Sequence, residues 1–226
     1  MTFNRRAFLL GAATLATCSM APAAFALTDQ QELVDEARIT FEKLTTSPDF
    51  AELPSYLKRC RAVMIFPSLF KAGFGIGGEG GTGVLLVRDA SHGWSQPAFY
   101  TLAAGSLGLQ VGGQLSETIF TIMSEKAVDA VLDNQMKLGG NVSAAAGPVG
   151  KGIGADTTTN FSSDVYTFAK TSGLFGGVSF EGAGMLKKDS WNRAYYGEGS
   201  SPYAIVIQHK FQNPNTSALV TAVSAY

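Results

Sequence analysis

Glycine recurs at short intervals through one apolar stretch of this sequence, occupying twelve positions between Gly73 and Gly113. In residues 73–77, glycines alternate with Phe74 and Ile76, so a strand there carries glycine on one face and large apolar side chains on the other. A face without side chains lets a second segment approach closely or lets the sheet coil sharply. The pattern therefore predicts a strongly curved β-sheet.

Apolar runs separated by glycine-rich turns extend the strand pattern along most of the chain. Helical spacing predicts helices over 28–45, 51–60, 124–132 and 190–196. The predicted strands cover 62–66, 73–77, 84–87, 98–103, 107–111, 115–123, 136–146, 164–169, 174–180 and 203–208. No linker or low-complexity tract interrupts these elements. We therefore predict one α+β domain over 27–226, with a mostly antiparallel sheet or barrel-like core, an N-terminal helix and a few peripheral helices.

The first predicted helix has a capping box, because Thr28 stands three residues before Gln31. Its apolar residues share one face at helical spacing, and its other face is acidic. A helix that lies on a membrane surface carries Lys and Arg on its polar face. We therefore expect this helix to pack on the core. The apolar face consists of Leu33, Val34, Ala37, Phe41 and Leu44.

Residues 1–26 have the pattern of an export signal. Arg5 and Arg6 precede an apolar run over 7–17, and the sequence AFA at 24–26 is typical of a signal-peptidase cleavage site. The arginine pair followed by Phe and Leu resembles the twin-arginine signal, and the alternative is an ordinary secretory signal. Both predict export to the periplasm of a bacterium.

Cys18 leaves a second alternative open at this end of the chain. The sequence LATC at 15–18 resembles a lipobox, in which Cys18 becomes lipidated and anchors the protein to a membrane. Thr17 fits that motif poorly, so we favour cleavage after Ala26. Cys60 is then the single remaining thiol, and no internal disulfide forms.

Few residues are available for metal or catalytic chemistry. The chain has two cysteines and two histidines, and they show neither CxxC nor HxxxH spacing, so we predict no metal site. His92 lies in a polar turn and His209 near the end of a predicted strand, and both are interpreted as surface residues. The glycine-rich stretches lack the helix or the polar residues that nucleotide and phosphate loops need, and a net charge of −1 does not attract nucleic acid. We expect no enzymatic activity and no cofactor.

One cluster of basic residues is concentrated enough to suggest a ligand. It lies beside Tyr56, Leu57 and Phe66, and basic groups next to apolar and aromatic ones suit an anionic lipid head group and its acyl edge. The alternative is a solvated helix face that flanks the first strand. The cluster consists of Lys58, Arg59, Arg61 and Lys71. A second, less concentrated group consists of Lys187, Lys188 and Arg193.

Seven stretches, taken in order, resemble the SYLF domain, a lipid-binding family found from bacteria to yeast and animals. The resemblance covers roughly 50–208 and rests on several long motifs in the same order, so it is far more specific than any single pattern. The stretches are LKRCRAVMIF at 57–66, KAGFGIGG at 71–78, GTGV at 81–84, GWSQP at 93–97, GLQVG at 108–112, AAAGPVGK at 144–151 and GLFGGVSFEG at 173–182.

The resemblance implies binding of phosphoinositides or other anionic lipids without catalysis, and in eukaryotic members links to membrane traffic and actin. Those members are thought to contact lipid through a basic N-terminal helix, whereas the helix at 28–45 is acidic. The lipid site at the basic cluster is therefore a hypothesis from charge alone. We expect a lipid-binding protein of the bacterial envelope, and the alternative is an envelope protein that binds a protein partner on its sheet.

Overall fold

A computed structural model describes residues 28–147, 163–173, 180 and 182–226. The predicted export signal at 1–26, including Cys18, lies outside the described residues, as does the predicted strand at 174–180 except for Phe180. The helices are α1 (Asp29–Thr45), α2 (Leu53–Leu57), α3 (Glu125–Leu132), α4 (Asp189–Tyr196), α5 (Pro202–Val206) and α6 (Ser217–Ser224). The strands are β1 (Ala62–Asp89), β2 (Gly93–Trp94), β3 (Ala98–Ile122), β4 (Ala144–Ala146), β5 (Val165–Gly173) and β6 (Gly184–Lys187).

Two very long strands form the centre of the sheet. β1 pairs with β3 in antiparallel register from Ala62 opposite Ile122 to Leu85 opposite Ala98. The sheet order is β2-β1-β3-β5-β4, with β6 also paired to β3, and among the described strands only β4 and β5 are paired in parallel. Six of the predicted strands are thus segments of two continuous ones. The β1–β3 register shifts at two places, and such bulges bend and twist a strand pair.

β1 curls so strongly that its two ends meet. The backbone N–H of Arg88, near the end of the strand, donates to the carbonyl oxygen of Arg61, just before its start, at 2.8 Å. A Cβ on Gly83 would lie 2.5 Å from the carbonyl oxygen of Ile65, and one on Gly81 would clash with that of Ser68. Only glycine permits such close backbone approach. The predicted curvature is confirmed, and the result is a half-barrel.

Helices cover both faces of the sheet. Along β1, Met64 and Phe66 belong to one hydrophobic core together with α3 and α5. Val63 and Ile65 belong to a second core together with α1, α2 and α6. Because both faces are buried here, the run 62–66 has no polar alternation. The described residues contain no helix that is long and apolar enough to cross a bilayer.

The first helix agrees with its prediction. All five residues of its predicted apolar face are buried in α1, which packs on β1 and α6. Thr28 Oγ1 accepts from the backbone N–H of Gln31 at 3.3 Å, which is one half of a capping box. The other half is replaced, because the Gln31 side chain donates to Asp35 and to the carbonyl oxygen of Asn215.

Three local predictions are wrong. The predicted strand at 203–208 is helix α5, because Pro202 suits a first helical turn and Ser201 Oγ caps it by accepting from Ala204 N–H at 3.2 Å. In the predicted strand at 136–146, only 144–146 is a strand. The predicted helix at 51–60 shortens to α2, preceded by a 3-10 turn at Pro48–Phe50. Helix α6 was not predicted.

Candidate functional site: a cavity where the ends of β1 meet

A cleft of about 470 Å³ opens where the two ends of β1 meet the β1–β2 turn and α6. Guanidinium groups come from both ends of the strand, and aromatic rings come from β2 and the residues after α6. The curl of β1 creates this cleft, since it joins residues that a straight strand would hold far apart. The lining consists of Arg61, Arg88, Asp89, Ala90, Gly93, Trp94, Ser224 and Tyr226.

Arg88 is held rigidly in this wall. Its Nη1 donates to the carbonyl oxygen of Lys58 at 2.8 Å, and its Nη2 donates to that of Leu57 at 2.9 Å. The guanidinium also lies 4.5 Å from the centre of the Trp94 ring, a cation–π arrangement. Among the described residues, no carboxylate forms an ion pair with Arg88. Its positive charge is therefore fixed in place and not neutralised by a described acid.

Arg61 supplies the second cation, and its side chain has fewer contacts than that of Arg88. Its side chain is 57% exposed, and Nη2 lies 3.5 Å from Glu125 Oε1. An exposed ion pair of this length contributes little to stability and exchanges readily with other anions. The Arg61 backbone is fixed, because its N–H donates to the carbonyl oxygen of Ile122 at 2.7 Å. The side chain can thus turn toward a ligand while its origin stays in place.

Asp89 is the acid at the edge of the cleft. Its Oδ1 accepts from the backbone N–H groups of Ser91 at 2.7 Å and His92 at 2.8 Å, and lies 2.9 Å from His92 Nδ1. The side-chain hydrogen bond with His92, followed by the two backbone bonds, lowers the pKa of Asp89. The group is therefore a carboxylate at neutral pH. The cleft is lined by two cationic side chains, Arg61 and Arg88, and one acidic side chain, Asp89. The described hydrogen bonds of Asp89 are to Ser91 and His92 of its own turn and not to either arginine.

Lys58 and Arg59 lie next to this cleft without lining it. Lys58 is exposed and directly follows α2. Arg59 Nε donates to the carbonyl oxygen of Ser55 at 3.1 Å, and its guanidinium lies 5.2 Å from the centre of the Tyr56 ring. Three of the four predicted site residues, Lys58, Arg59 and Arg61, thus lie together between α2 and β1.

Lys71 is separated from this group. It lies in the middle of β1 opposite Gln114, and its Nζ is 3.9 Å from Glu79 Oε2. The Glu79 side chain is only 3% exposed. Burial raises the pKa of Glu79, and the Lys71 ammonium acts in the opposite direction. Lys71 therefore balances a buried acid and does not line the cleft.

The second basic group also has an internal partner. Lys188 Nζ lies 3.7 Å from the centre of the Trp191 ring and donates to Thr82 Oγ1 at 2.9 Å. Burial lowers the pKa of Lys188, and Asp29 acts in the opposite direction. This lysine joins α4 to the middle of β1. We therefore assign it to the fold and not to a ligand.

An exposed apolar pair lies on the sheet itself. Phe70 and Leu115 are directly opposite each other on β1 and β3, and they are 54% and 50% exposed. Cross-strand neighbours of this kind form one continuous surface. The pair gives the sheet a candidate contact surface that is distinct from the cleft.

Sequence reasoning missed Arg88 and Trp94 as site residues. Arg88 is a single cation at the end of a strand, and no local spacing connects it to Arg61. Trp94 is part of the GWSQP stretch that supports the family resemblance, but nothing in that motif indicates a cation–π partner. Only the curl of β1 brings these side chains together. Nothing in the sequence indicated that the two histidines, interpreted as surface residues, come together beside Asp89.

Comparison with known proteins identifies related sequences. The family described as Ysc84, Las17-binding protein actin regulator, matches residues 103–226. "SH3 domain-containing YSC84-like protein 1" of Xenopus laevis is 33% identical over 181 residues, covering 79% of this chain and 54% of that protein. "Protein YSC84" of Saccharomyces cerevisiae is 36% identical over 156 residues, covering 68% of this chain and 33% of that protein.

A third relative has a similar relation to this chain. "LAS seventeen-binding protein 3" of Saccharomyces cerevisiae is 33% identical over 156 residues, which cover 68% of this chain and 34% of that protein. The chain therefore spans between about a third and a half of the length of these relatives. None of the three names describes an enzyme.

Proposed function

Because the chain belongs to the Ysc84 family, which is the family that its sequence motifs predicted under the name SYLF, we propose that it is a non-enzymatic protein that binds anionic lipid head groups at a membrane surface. The cleft at the ends of β1 is the proposed head-group site. The proposed location is the bacterial envelope, on the basis of the export signal predicted at 1–26. A lipid on Cys18 remains an alternative means of attachment.

The pair of guanidinium groups at the cleft is the observation on which this proposal rests. A guanidinium presents several N–H donors in a plane and matches the oxygens of a phosphate. Arg88 is held in position by backbone carbonyls, so little side-chain entropy is lost when it binds. Trp94 and Tyr226 lie in the same wall, and such rings suit the boundary between head groups and acyl chains.

Charge around the cleft would add to this attraction. Lys58 and Arg59 are exposed beside Arg61, and a basic side chain near an anionic surface contributes about 1 kcal/mol to binding. Three such residues together give about 3 kcal/mol, which corresponds to roughly a hundredfold change in partition. Salt screens interactions of this kind. Binding should therefore rise with anionic lipid content and fall as salt is raised.

The test is sedimentation of the purified protein with vesicles of phosphatidylcholine containing increasing phosphatidylglycerol, at low and at moderate salt. The variant Lys58→Gln/Arg59→Gln/Arg61→Gln should partition roughly a hundredfold more weakly than the unchanged protein. A matched variant, Lys137→Gln/Arg193→Gln/Lys210→Gln, removes three other exposed cations and the same net charge. That variant should bind nearly as well as the unchanged protein.

Equal losses in the two triple variants would show that net charge, and not this site, governs binding. Equal retention by vesicles with and without phosphatidylglycerol would contradict the anionic head group. If no vesicle retained the protein, the lipid proposal would fail, and attachment through Cys18 would be the remaining route to a membrane.

The exposed pair of Phe70 and Leu115 favours a second candidate, an envelope protein that binds a protein partner on its sheet. Two large apolar side chains are costly to expose side by side and are typical of a contact surface. Relatives with names such as "LAS seventeen-binding protein 3" are consistent with partner binding. The variant Phe70→Thr/Leu115→Thr should then lose a co-purifying partner while it keeps its vesicle binding. Loss of vesicle binding with the partner retained would instead show that the pair contacts the membrane.

A further inference from the structure

The chain contains two histidines, and the fold stacks them on each other. The centres of the His92 and His209 rings are 4.8 Å apart, and the ring planes differ by 29°. His92 lies in the turn between β1 and β2, and His209 lies in the segment that follows α5. Because these residues are far apart in sequence, only the folded chain can place the two imidazoles together.

His209 is held in an unfavourable environment. Its φ is 50°, in the left-handed region, which costs energy for any residue with a Cβ. Its Nε2 is shielded from solvent and has no hydrogen-bond partner in the part of the chain that the structure describes. A buried polar atom without a partner is destabilising, and such atoms are rare in native proteins. A ligand that binds this nitrogen would remove that penalty.

Asp89 completes a group of three candidate ligands. One nitrogen from each imidazole and a carboxylate oxygen of Asp89 all lie within 4.8 Å of one another. The hydrogen bonds to Asp89 from described residues use Oδ1, which leaves Oδ2 for another partner. The backbone N–H groups of Ser91 and His92 fix the carboxylate, as supporting hydrogen bonds do for ligating carboxylates in metal sites.

We infer that Asp89, His92 and His209 bind a divalent transition-metal ion of the zinc class, with water in the remaining position. Two imidazole nitrogens and one carboxylate oxygen form a donor set typical of Zn²⁺ sites that have three protein ligands. The same donors suit Cu²⁺ and Ni²⁺ and are poor ligands for Mg²⁺ and Ca²⁺, which prefer oxygen. This inference does not rest on the lipid proposal.

The present spacing is compatible with metal binding after a small movement. Ligand atoms around a tetrahedral zinc at about 2.0 Å are roughly 3.3 Å apart, so the widest separation must shorten by roughly 1.5 Å. His92 is exposed in a turn, so its ring can rotate without disturbing the core. The bound ion would connect the β1–β2 turn to the segment after α5 and would stabilise the folded chain by mass action.

The test is titration of the full chain with ZnCl₂ and, separately, MgCl₂, followed by calorimetry and thermal unfolding. We expect one saturable zinc site per chain, none for magnesium, and a rise in Tm of about 5 °C at a hundredfold excess over Kd. One equivalent of zinc should also shift the NMR signals of both imidazoles, which are the only two in the chain.

Two single variants test the assignment. His92→Gln changes an exposed turn residue, and His209→Asn retains a residue type that tolerates positive φ. Each should weaken zinc binding at least tenfold and abolish the rise in Tm. Ser91→Ala, the matched control, keeps the backbone N–H that Asp89 accepts and should bind zinc as the unchanged protein does. Absence of a saturable zinc site, or zinc binding that persists in both histidine variants, would overturn the inference.

Discussion

Arg61 directly precedes β1 and Lys71 lies within it, ten residues further along the sequence, and the two have opposite electrostatic roles. Arg61 lies 57% exposed at the rim of an open cleft, with a second guanidinium beside it. Lys71 lies in the middle of the β1–β3 ribbon, where it faces a carboxylate that is almost fully buried. Two residues of the same charge, predicted to share a site, thus have different partners.

The difference shows that a count of charges along a sequence does not measure the charge available to a ligand. At the ends of β1, the Arg88 guanidinium interacts with backbone carbonyls and an aromatic ring, and the Arg61 guanidinium forms only a long, exposed ion pair with Glu125, so both charges remain available to a ligand. In the middle of β1 the lysine balances Glu79. The expected effects of substitution therefore differ in kind: loss of Lys71 changes stability, and loss of Arg61 changes binding.

The largest expected effect follows removal of the charge at Lys71. Lys71→Met leaves Glu79 buried without its partner and should lower the free energy of unfolding by about 3 kcal/mol at pH 8. Burial already raises the pKa of Glu79 above its ordinary value of 4.5. Protonated Glu79 therefore favours the folded state in acid, and this contribution to the free energy of unfolding is lost as pH rises through the raised pKa. The deficit should therefore shrink toward pH 5. Urea unfolding at both pH values measures it.

Lys170→Met is the matched control, because Lys170 is an exposed lysine on β5 of the same sheet. Its effect should stay within about 0.5 kcal/mol at both pH values. If Lys71→Met were equally mild, Lys71 would not balance Glu79, and the contrast with Arg61 would be lost.

A smaller effect is expected at Arg88. Arg88→Lys keeps the positive charge but cannot donate in the same fork to the carbonyl oxygens of Leu57 and Lys58, and it interacts less well with Trp94. We expect a loss of about 1.5 kcal/mol in the free energy of unfolding, together with weaker vesicle binding. Urea unfolding and sedimentation, run on the same sample, measure both. Unchanged vesicle binding would mean that the rigid guanidinium does not contact lipid.

Arg61→Gln should separate binding from stability. Its ion pair with Glu125 is exposed and long, so the free energy of unfolding should change by less than about 0.5 kcal/mol. Vesicle partition should nonetheless fall about fivefold, which corresponds to about 1 kcal/mol for one basic group near an anionic surface. Glu125→Gln, which removes the partner and leaves Arg61, should not weaken partition. A fall in stability with unchanged partition would reverse the assigned roles.

The smallest effect concerns Cys60, which lies between α2 and β1 behind this corner. Its Sγ donates to the carbonyl oxygen of Leu57 at 3.2 Å, and burial raises the pKa of the thiol to about 12. Cys60 should therefore react with a thiol reagent only through unfolding, and Cys18→Ser removes the other cysteine from the assay. Faster labelling in Arg88→Lys than in Lys71→Met would show that Arg88 holds this corner closed. Rapid labelling of Cys60 in the otherwise unchanged Cys18→Ser protein would contradict the packing described here.

Much of the fold could be predicted because its signals are local. The cap and apolar face of α1 are present in the sequence, as are the cap of α3 at Ser124 and the glycine pattern that allows β1 to curl. The run at 203–208 was misassigned because a short apolar segment with β-branched residues suits a strand or a buried helix equally well. There the Ser201 cap and Pro202 decided the outcome.

The candidate site was less predictable, because it depends on the curl of β1. Local clustering grouped Arg61 with Lys58 and Arg59, since these residues are close in sequence. It could not show that Arg88 joins them from the far end of the strand, or that Lys71 faces Glu79 eight residues later. For the same reason, residue spacing gave no indication of the contact between His92 and His209.

The central claim is that anionic lipid binds at the cleft beside Trp94, and the fluorescence of that residue tests it most directly. The chain has two tryptophans, so Trp191→Phe leaves Trp94 as the only one. Titration of this variant with phosphatidylglycerol vesicles should shift the Trp94 emission saturably, and the added change Arg61→Gln should require about fivefold more lipid. Phosphatidylcholine vesicles should leave the emission unchanged. Retention of the protein by anionic vesicles without any change at Trp94 would contradict the account.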